Sequence, residues 1–117
     1  MATIRSYTTI EQSRKLEEIL PLESADMYFE KGIGDNYKES FGNYADMRIA
    51  ENMLGINTIP CWSLSALFGV LPNGNMLVKT TDGEYYCLAK DVMTKHYDNP
   101  IDACVAMIEK LHELKML

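Results

Sequence analysis

Residues 76–89 read MLVKTTDGEYYCLA, two β-prone runs on either side of an Asp-Gly pair. Such runs around a short turn signal are typical of a β-hairpin. Asp82-Gly83 favours a two-residue type I′ turn, in which both central residues need positive φ. The sequence therefore predicts an antiparallel hairpin over this stretch. Because side chains alternate along a strand, Tyr85 and Tyr86 should lie on opposite faces of it.

The end of the chain, over about 100–115, shows helical periodicity. Asn99 is a preferred N-cap, Pro100 is favoured at the first helical position, and Asp102 in the first turn suits the helix dipole. We expect this amphipathic helix to cover the apolar side of the hairpin, with Met107 at the flank of its buried face. That face is predicted from Ile101, Cys104, Val105, Ile108, Leu111, His112 and Lys115.

The N-terminal part predicts a helix over residues 9–20 and a short strand over 27–30. Thr9 followed by Gln12 matches a capping box, in which the side chain of each residue bonds the backbone N–H of the other. Pro21 should end the helix, because the residue before a proline disfavours helical backbone.

The middle of the chain predicts a helix over about 62–71, with Pro60 and Ser63 near its start and Pro72 in the turn that follows. The other segments carry weaker signals: a loop over 31–43, an element of undefined type over 44–52, and a third short strand or a loop over 90–98.

These elements predict an α+β fold in a single domain, residues 1–117, since domains cluster near this length. One small antiparallel sheet is expected around the 76–89 hairpin, packed by an N-terminal, a central and a C-terminal helix. The order lacks the strand–helix–strand alternation that parallel sheets require.

The charge pattern excludes several classes of protein. Lys and Arg number 11 against 17 Asp and Glu, the net charge is -6, and the basic residues form no stripe, so no direct binding of nucleic acid is expected. No apolar run reaches the roughly 20 residues that span a membrane. Residues 1–7 lack an apolar core segment, so we expect that they do not form a signal peptide. Three cysteines, an odd number, fit reduced thiols and a cytoplasmic location.

Three residues are candidates for catalysis: Cys61, Cys87 and His96. A thiol nucleophile needs a neighbouring base, and His96 could approach Cys87 across the hairpin. We expect Cys61 just before a helix start, and a helix N-terminus can lower the pKa of a thiol. No family signature surrounds them, so an enzyme with a Cys nucleophile and a His base is the alternative hypothesis. Close Cys or His pairs are lacking, and we expect no metal and no cofactor.

The favoured hypothesis is a non-catalytic accessory or protein-interaction domain, acting on an unknown protein partner or as a homo-oligomer. It predicts a contiguous exposed patch of aromatic and Met side chains. A third hypothesis is an acidic mimic of nucleic acid that inhibits a DNA-binding protein. That function requires carboxylates arrayed on one face without Lys or Arg among them.

Three segments resemble a family of small uncharacterised proteins carried by gut bacteria and by their phages or integrated elements. The first comprises residues 9–16 with 24–28, the second is Ile59–Leu67 closed by Leu71-Pro72, and the third is Asn99–Ile108. The resemblance implies no activity, cofactor or catalytic residue. It does imply a phage-like or mobile-element setting, in which small acidic proteins often bind host or phage proteins.

Overall fold

Two separate three-stranded antiparallel sheets organise the chain in the computed structural model, which describes residues 6–31, 36–40 and 42–117. The predicted α+β class is confirmed, but the second sheet was not foreseen. The helices are α1 (Ile10–Leu16), α2 (Tyr44–Leu54), α3 (Leu64–Val70) and α4 (Pro100–Glu113). The strands are β1 (Met27–Lys31), β2 (Tyr37–Ser40), β3 (Thr58–Cys61), β4 (Met76–Lys79), β5 (Tyr85–Ala89) and β6 (Val92–Met93).

The N-terminal sheet has the strand order β2-β1-β3, and the C-terminal sheet has the order β4-β5-β6. In the first, Phe29 lies opposite Glu39 on one side and Ile59 on the other. In the second, Leu77 lies opposite Cys87. The hairpin strands β4 and β5 are thus confirmed, and the undecided segment 90–98 contributes a third strand of two residues.

Helix α4 lies at the centre of the larger core and contacts β5, α3 and α1. Its start agrees with the sequence: the Asn99 side chain accepts a hydrogen bond from the N–H of Ile101 at 2.8 Å. The buried surface is wider than one stripe, because sheet and helices cover different sides, and Met107 is fully buried. His112 and Lys115, expected on the buried face, are exposed: His112 lies in the last turn of α4, and Lys115 lies beyond the end of the helix at Glu113.

Helix α1 begins with the predicted Thr9–Gln12 capping box, with both hydrogen bonds present. It ends at Leu16, earlier than expected. The backbone then tightens into turns, with the N–H of Ile19 bonded to the C=O of Leu16 at 2.9 Å, so the residues nearest Pro21 lie outside the helix.

The central helix starts later than its sequence indicated, because Pro60 lies in β3 rather than at a helix start. β3 is an edge strand, where a residue without an N–H is tolerated. Ser63 is the N-cap of α3 and accepts from the N–H of Ala66 at 3.1 Å. The carboxylate of Asp26 in turn accepts bonds from the N–H and the hydroxyl of Ser63, which fixes this strand-to-helix corner.

The stretch expected to be a loop contains the last residue of β1 and all of β2, and its residues 32–35 and 41 lie outside the described part of the chain. The element of undefined type is α2. Asn43 and Asp46 form a second capping box at its start, and Gly55 ends it with a φ of 65°, a left-handed conformation that glycine adopts readily. Asn43, expected in the loop, is thus the N-cap of α2.

The predicted type I′ turn at Asp82-Gly83 is wrong. Gly83 has a φ of 83°, but Asp82 does not have positive φ. The N–H of Gly83 bonds the C=O of Thr80 at 3.0 Å, and the N–H of Thr80 bonds the C=O of Glu84 at 2.8 Å. This is a three-residue hairpin loop, a tight turn followed by a left-handed residue.

The two-residue turn with positive φ instead joins β5 to β6. Its residues Lys90 and Asp91 have φ of 49° and 65°, and Ala89 lies opposite Val92 across it. Lysine and aspartate carry none of the glycine signal that sequence-based turn prediction uses. Among the residues described, no helix combines the length and the apolar character that crossing a bilayer requires.

Glycine should be favoured at both turns, so adding it to one and removing it from the other should change stability in opposite directions. Replacing Asp91 by Gly should raise the free energy of unfolding by about 0.5–1 kcal/mol, because glycine adopts positive φ without steric cost. Gly83→Ala should lower it by about 1–2 kcal/mol through backbone strain alone, because a Cβ there meets no atom within 4 Å. Urea denaturation measures both, and a stabilising Gly83→Ala would contradict the assigned turns.

Candidate functional site

The candidate nucleophile Cys61 is fully buried at the end of β3. Its sulfur lies 3.6 Å from both the hydroxyl and the carbonyl oxygen of Thr8. The Thr8 hydroxyl also lies 2.8 Å from that of Ser13, and it accepts a bond from the N–H of Trp62 at 3.1 Å. The thiol therefore belongs to a buried polar cluster that joins α1 to β3.

Burial raises the pKa of the Cys61 thiol from 9.0 to about 11, and the nearby Asp26 carboxylate adds to this, although hydrogen bonds from Thr8 and Ser13 partly oppose it. The reactive species of cysteine is the thiolate. A buried thiol with a raised pKa stays protonated near neutral pH, so this site does not have the chemistry of an activated nucleophile. Cys61 does lie just before the start of α3, whose N-cap is Ser63, but it belongs to β3 and its pKa is raised rather than lowered.

The candidate Cys87 is also fully buried, and it faces Cys104 of α4 across the larger core. A hydrogen bond between the two thiols lowers the pKa of Cys87 and raises that of Cys104, while burial raises both. The N–H of Cys87 bonds the Thr94 hydroxyl at 2.9 Å. These thiols pack the junction of α4 with the C-terminal sheet, as the sequence indicated for Cys104.

The candidate base His96 lies on the opposite side of that sheet. Its ring stacks on Tyr86, with 4.9 Å between centroids and 17° between planes. Its Nδ1 is 3.7 Å from Glu84, and both side chains are more than two-fifths exposed. Successive side chains of a strand point to opposite faces, so the sheet separates the Tyr86 ring, on which His96 stacks, from the sulfur of Cys87.

The structure therefore distributes the three sequence candidates among three environments. Cys61 lies in the last position of β3 in the N-terminal sheet, Cys87 lies inside the larger core, and His96 lies on the outer surface of the C-terminal sheet. The enzyme hypothesis stays a prediction without an assembled site behind it. Across residues 6–31, 36–40 and 42–117, no group of three or more His, Cys, Asp or Glu is placed to hold a metal ion.

An open groove runs between α1 and α4 and has a volume of about 410 Å³ at its larger end. Glu11, Asp102 and Glu109 line that end, but Lys15 lies among them, and Gln12 donates a hydrogen bond to Asp102 at 2.7 Å. The mixed charge does not match the uninterrupted carboxylate array that a nucleic-acid mimic requires.

The outer face of the C-terminal sheet is apolar and uncovered in the described part of the chain. The register places its side chains next to one another across the three strands, with Met76 opposite Leu88, Leu88 opposite Met93, and Val78 opposite Tyr86. Met76 and Met93 are 56% and 54% exposed, and the other three are partly exposed. We call these five side chains the outer patch.

The inner face of the same sheet differs sharply. Leu77, Tyr85, Cys87, Ala89 and Val92 alternate with the residues of the outer patch, and all five pack in the larger core beneath α4. The sheet is thus apolar on both sides, although only one side is covered. Antiparallel strands with one solvated face normally alternate apolar and polar residues, so the missing polar residues are unusual.

Sequence reasoning missed most of the outer patch, although it required one of Tyr85 and Tyr86 to face outward. The available signal was the lack of alternation in Met76–Lys79 and in Tyr85–Ala89. Both runs are apolar at consecutive positions, which predicts a strand buried on two faces. Because α4 covers only the inner face of the C-terminal sheet, the outer face remains available for contact with another molecule.

Burial of Cys61 predicts a pH dependence of stability. Its pKa is raised in the folded chain, so its contribution is complete below pH 9.0 and is lost as the pH rises towards about 11. Over this window the unfolding free energy of the unaltered chain should fall by ~3 kcal/mol more than that of Cys61→Ala. Urea titrations at several pH values measure the difference, and parallel curves for the two proteins would contradict the assigned burial.

Comparison with protein-family models, with curated proteins and with solved structures found no match for this chain. The resemblance of its three segments to proteins of mobile elements therefore stays a prediction. Among the described residues, exposed apolar side chains lie in the outer patch and also on α2, where Ile49, Met53 and Leu54 are more than half exposed. The outer patch is the one that extends across three paired strands.

Proposed function

We propose that the protein is a non-catalytic protein-interaction domain that binds its partner through the outer patch of the C-terminal sheet. The observation that carries the proposal is the continuous apolar surface formed by Met76, Val78, Tyr86, Leu88 and Met93. Contiguous exposed apolar side chains of this kind mark sites of protein interaction.

The composition of the outer patch suits protein binding. Tyrosine and methionine are enriched at protein interfaces, the first as a rigid ring with a polar tip and the second as an adaptable apolar chain. Stacking on His96 holds the ring of Tyr86 in place, which reduces the entropy that a partner must offset on binding. Tyr86, an ordered aromatic, and the exposed Met76 and Met93 on either side of Leu88 thus combine an anchor with a flexible rim.

The charge around the patch supports the same function. Residues 76–96 hold three lysines and three acidic residues, so this segment is neutral although the chain carries -6. The excess negative charge lies elsewhere in the sequence. A partner can therefore approach the outer patch without strong repulsion or steering, and apolar contact rather than charge should dominate its affinity.

The resemblance to proteins of phages and integrated elements supports a further part of the proposal. In that setting the protein would act as an accessory factor that binds a host or phage protein. The raised pKa of Cys61 and the packed thiols of Cys87 and Cys104 agree with a role that does not use cysteine chemistry.

The proposal predicts that charge in the outer patch abolishes binding and leaves the fold intact. Met76 and Met93 are more than half exposed, so Met76→Lys with Met93→Lys should not destabilise the core. Met53→Lys is the matched control, since Met53 is 78% exposed on α2, in the other half of the molecule.

Affinity capture from cells that encode the chain, with quantitative mass spectrometry, compares the three proteins. We expect a protein retained by the unaltered chain and by Met53→Lys to be lost with the double variant. Calorimetry with the purified partner should then show at least a tenfold weaker affinity for the double variant, a change of about 1.4 kcal/mol. Equal retention by all three, or loss with the control alone, would refute the proposal.

A further inference from the structure

The edges of the two sheets differ in how they resist pairing with another strand. β2 carries Lys38 and Glu39, β3 contains Pro60, and β6 is only two residues long. Charged side chains, proline and short length are the devices that normally protect an edge. β4, with the sequence MLVK, has only the lysine at its end. It is the least protected of the described edges.

The hydrogen-bond pattern shows which backbone groups β4 presents at its free edge. The N–H of Thr80 bonds Glu84 in the neighbouring strand, and in an antiparallel pair the direction of these bonds alternates from residue to residue. The backbone N–H and C=O groups of Val78 and Met76 therefore face β5. The N–H and C=O groups of Leu77 and Lys79 point the other way.

The far side of β5 gives the same result independently. Tyr85 exchanges both backbone bonds with Tyr97, and Cys87 accepts from the N–H of Thr94, so neither residue bonds β4. The backbone N–H and C=O groups of the residues opposite them, Lys79 and Leu77, accordingly point to the free edge. In the described part of the chain, no backbone or side-chain group bonds the N–H or C=O of these two residues.

We propose that a second copy of this chain occupies the edge, with β4 paired antiparallel to β4 of the other copy across a two-fold axis. The two C-terminal sheets then join into one six-stranded sheet. The inference rests on the proposed function in one respect, since it extends the same outer patch from one copy onto the next.

Symmetry and face alternation select the register. Opposed residues must lie on the same face, so the sum of their two numbers is even. With Val78 on the axis, Leu77 of each copy lies opposite Lys79 of the other and exchanges both backbone bonds with it. This register gives a partner to every outward N–H and C=O of β4. It also brings the two Val78 side chains together and makes the two outer patches contiguous.

Charge does not oppose this pairing, because the segment 76–96 is neutral and Lys79 is the one charge on the strand. The Lys79 ammonium lies 5.8 Å from the centre of the Tyr85 ring, a cation–π geometry that keeps it over the inner face. Pairing of four residues per copy buries less surface than the roughly 800 Å² per partner that a stable interface buries. We therefore expect a reversible dimer in the micromolar range.

Sedimentation equilibrium from about 1 µM to about 1 mM tests the inference. The average mass of the unaltered chain should rise from 13.3 kDa towards twice that value. Lys79→Pro removes one outward N–H and leaves the bonds to β5 intact, so it should weaken association at least tenfold. Lys79→Ala keeps that N–H and is the matched control, expected to associate like the unaltered chain. Circular dichroism and urea denaturation verify that both variants fold.

A second measurement locates the contact. In a mixed sample of labelled and unlabelled chains, an intermolecular NOE should join the α protons of Val78 in the two copies. A chain that stays monomeric to about 1 mM, a Lys79→Pro variant that dimerises unchanged, or an intermolecular contact elsewhere would overturn the inference.

The two proposals can fail separately. A monomeric chain that still captures a protein through the outer patch refutes the β4 dimer alone. A dimer with the predicted contact that captures no other protein upholds the dimer and refutes binding to a different partner.

Discussion

The packing of α4 onto the inner face of the C-terminal sheet is the contact on which the rest of the molecule depends. Cys104 of the helix meets Cys87 of the central strand, and Ile108 and Leu111 extend the same buried surface. The remaining sides of α4 support α1 and α3. Because one helix covers one face, the contact that builds the core also decides which face of the sheet is left open for binding.

The N-terminal sheet is attached to this core through the corner between β3 and α3. Trp62 is fully buried there, and its indole N–H donates to the Ser24 hydroxyl at 2.9 Å. The N–H of Thr8 donates to the carbonyl oxygen of Trp62, and the hydroxyl of Thr8 accepts from the N–H of Trp62. Buried polar groups need hydrogen-bond partners, so the cluster around Cys61 is best explained as a structural joint. Its thiol contributes packing and a weak hydrogen bond rather than reactivity.

Local signals predicted the elements whose chemistry is local. The Asn99-Pro100 start of α4, the Thr9–Gln12 capping box and the paired strands β4 and β5 all follow from side chains within a few residues of one another. The turn residues were assigned to the wrong loop. Lys90 and Asp91 adopt positive φ because the pairing of β5 with β6 requires it, and tertiary context overrode their weak local preference.

The candidate site depended on information that the sequence does not hold locally. Cys61 precedes the start of α3 as the sequence indicates, but its pairing with Met27 places it in β3, where burial raises its pKa instead of lowering it. The separation of His96 from Cys87 depends on which face of β5 the helix covers. The sequence-based hypothesis predicts an exposed patch of aromatic and Met side chains but not its position, and the alternation of Tyr85 and Tyr86 places only one tyrosine outward. The two methionines of the patch are far apart in sequence, and only the strand register places Met76, Leu88 and Met93 side by side.

Native-state hydrogen exchange tests the central contact most directly, because it measures the opening of each segment separately. If α4 and β5 form one cooperative unit, their amides should exchange only through global unfolding, with equal free energies and equal dependence on urea. Protected amides in β5 together with amides in α4 that exchange at a much lower free energy would contradict the account. The helix would then be a peripheral cover rather than the element on which the core is built.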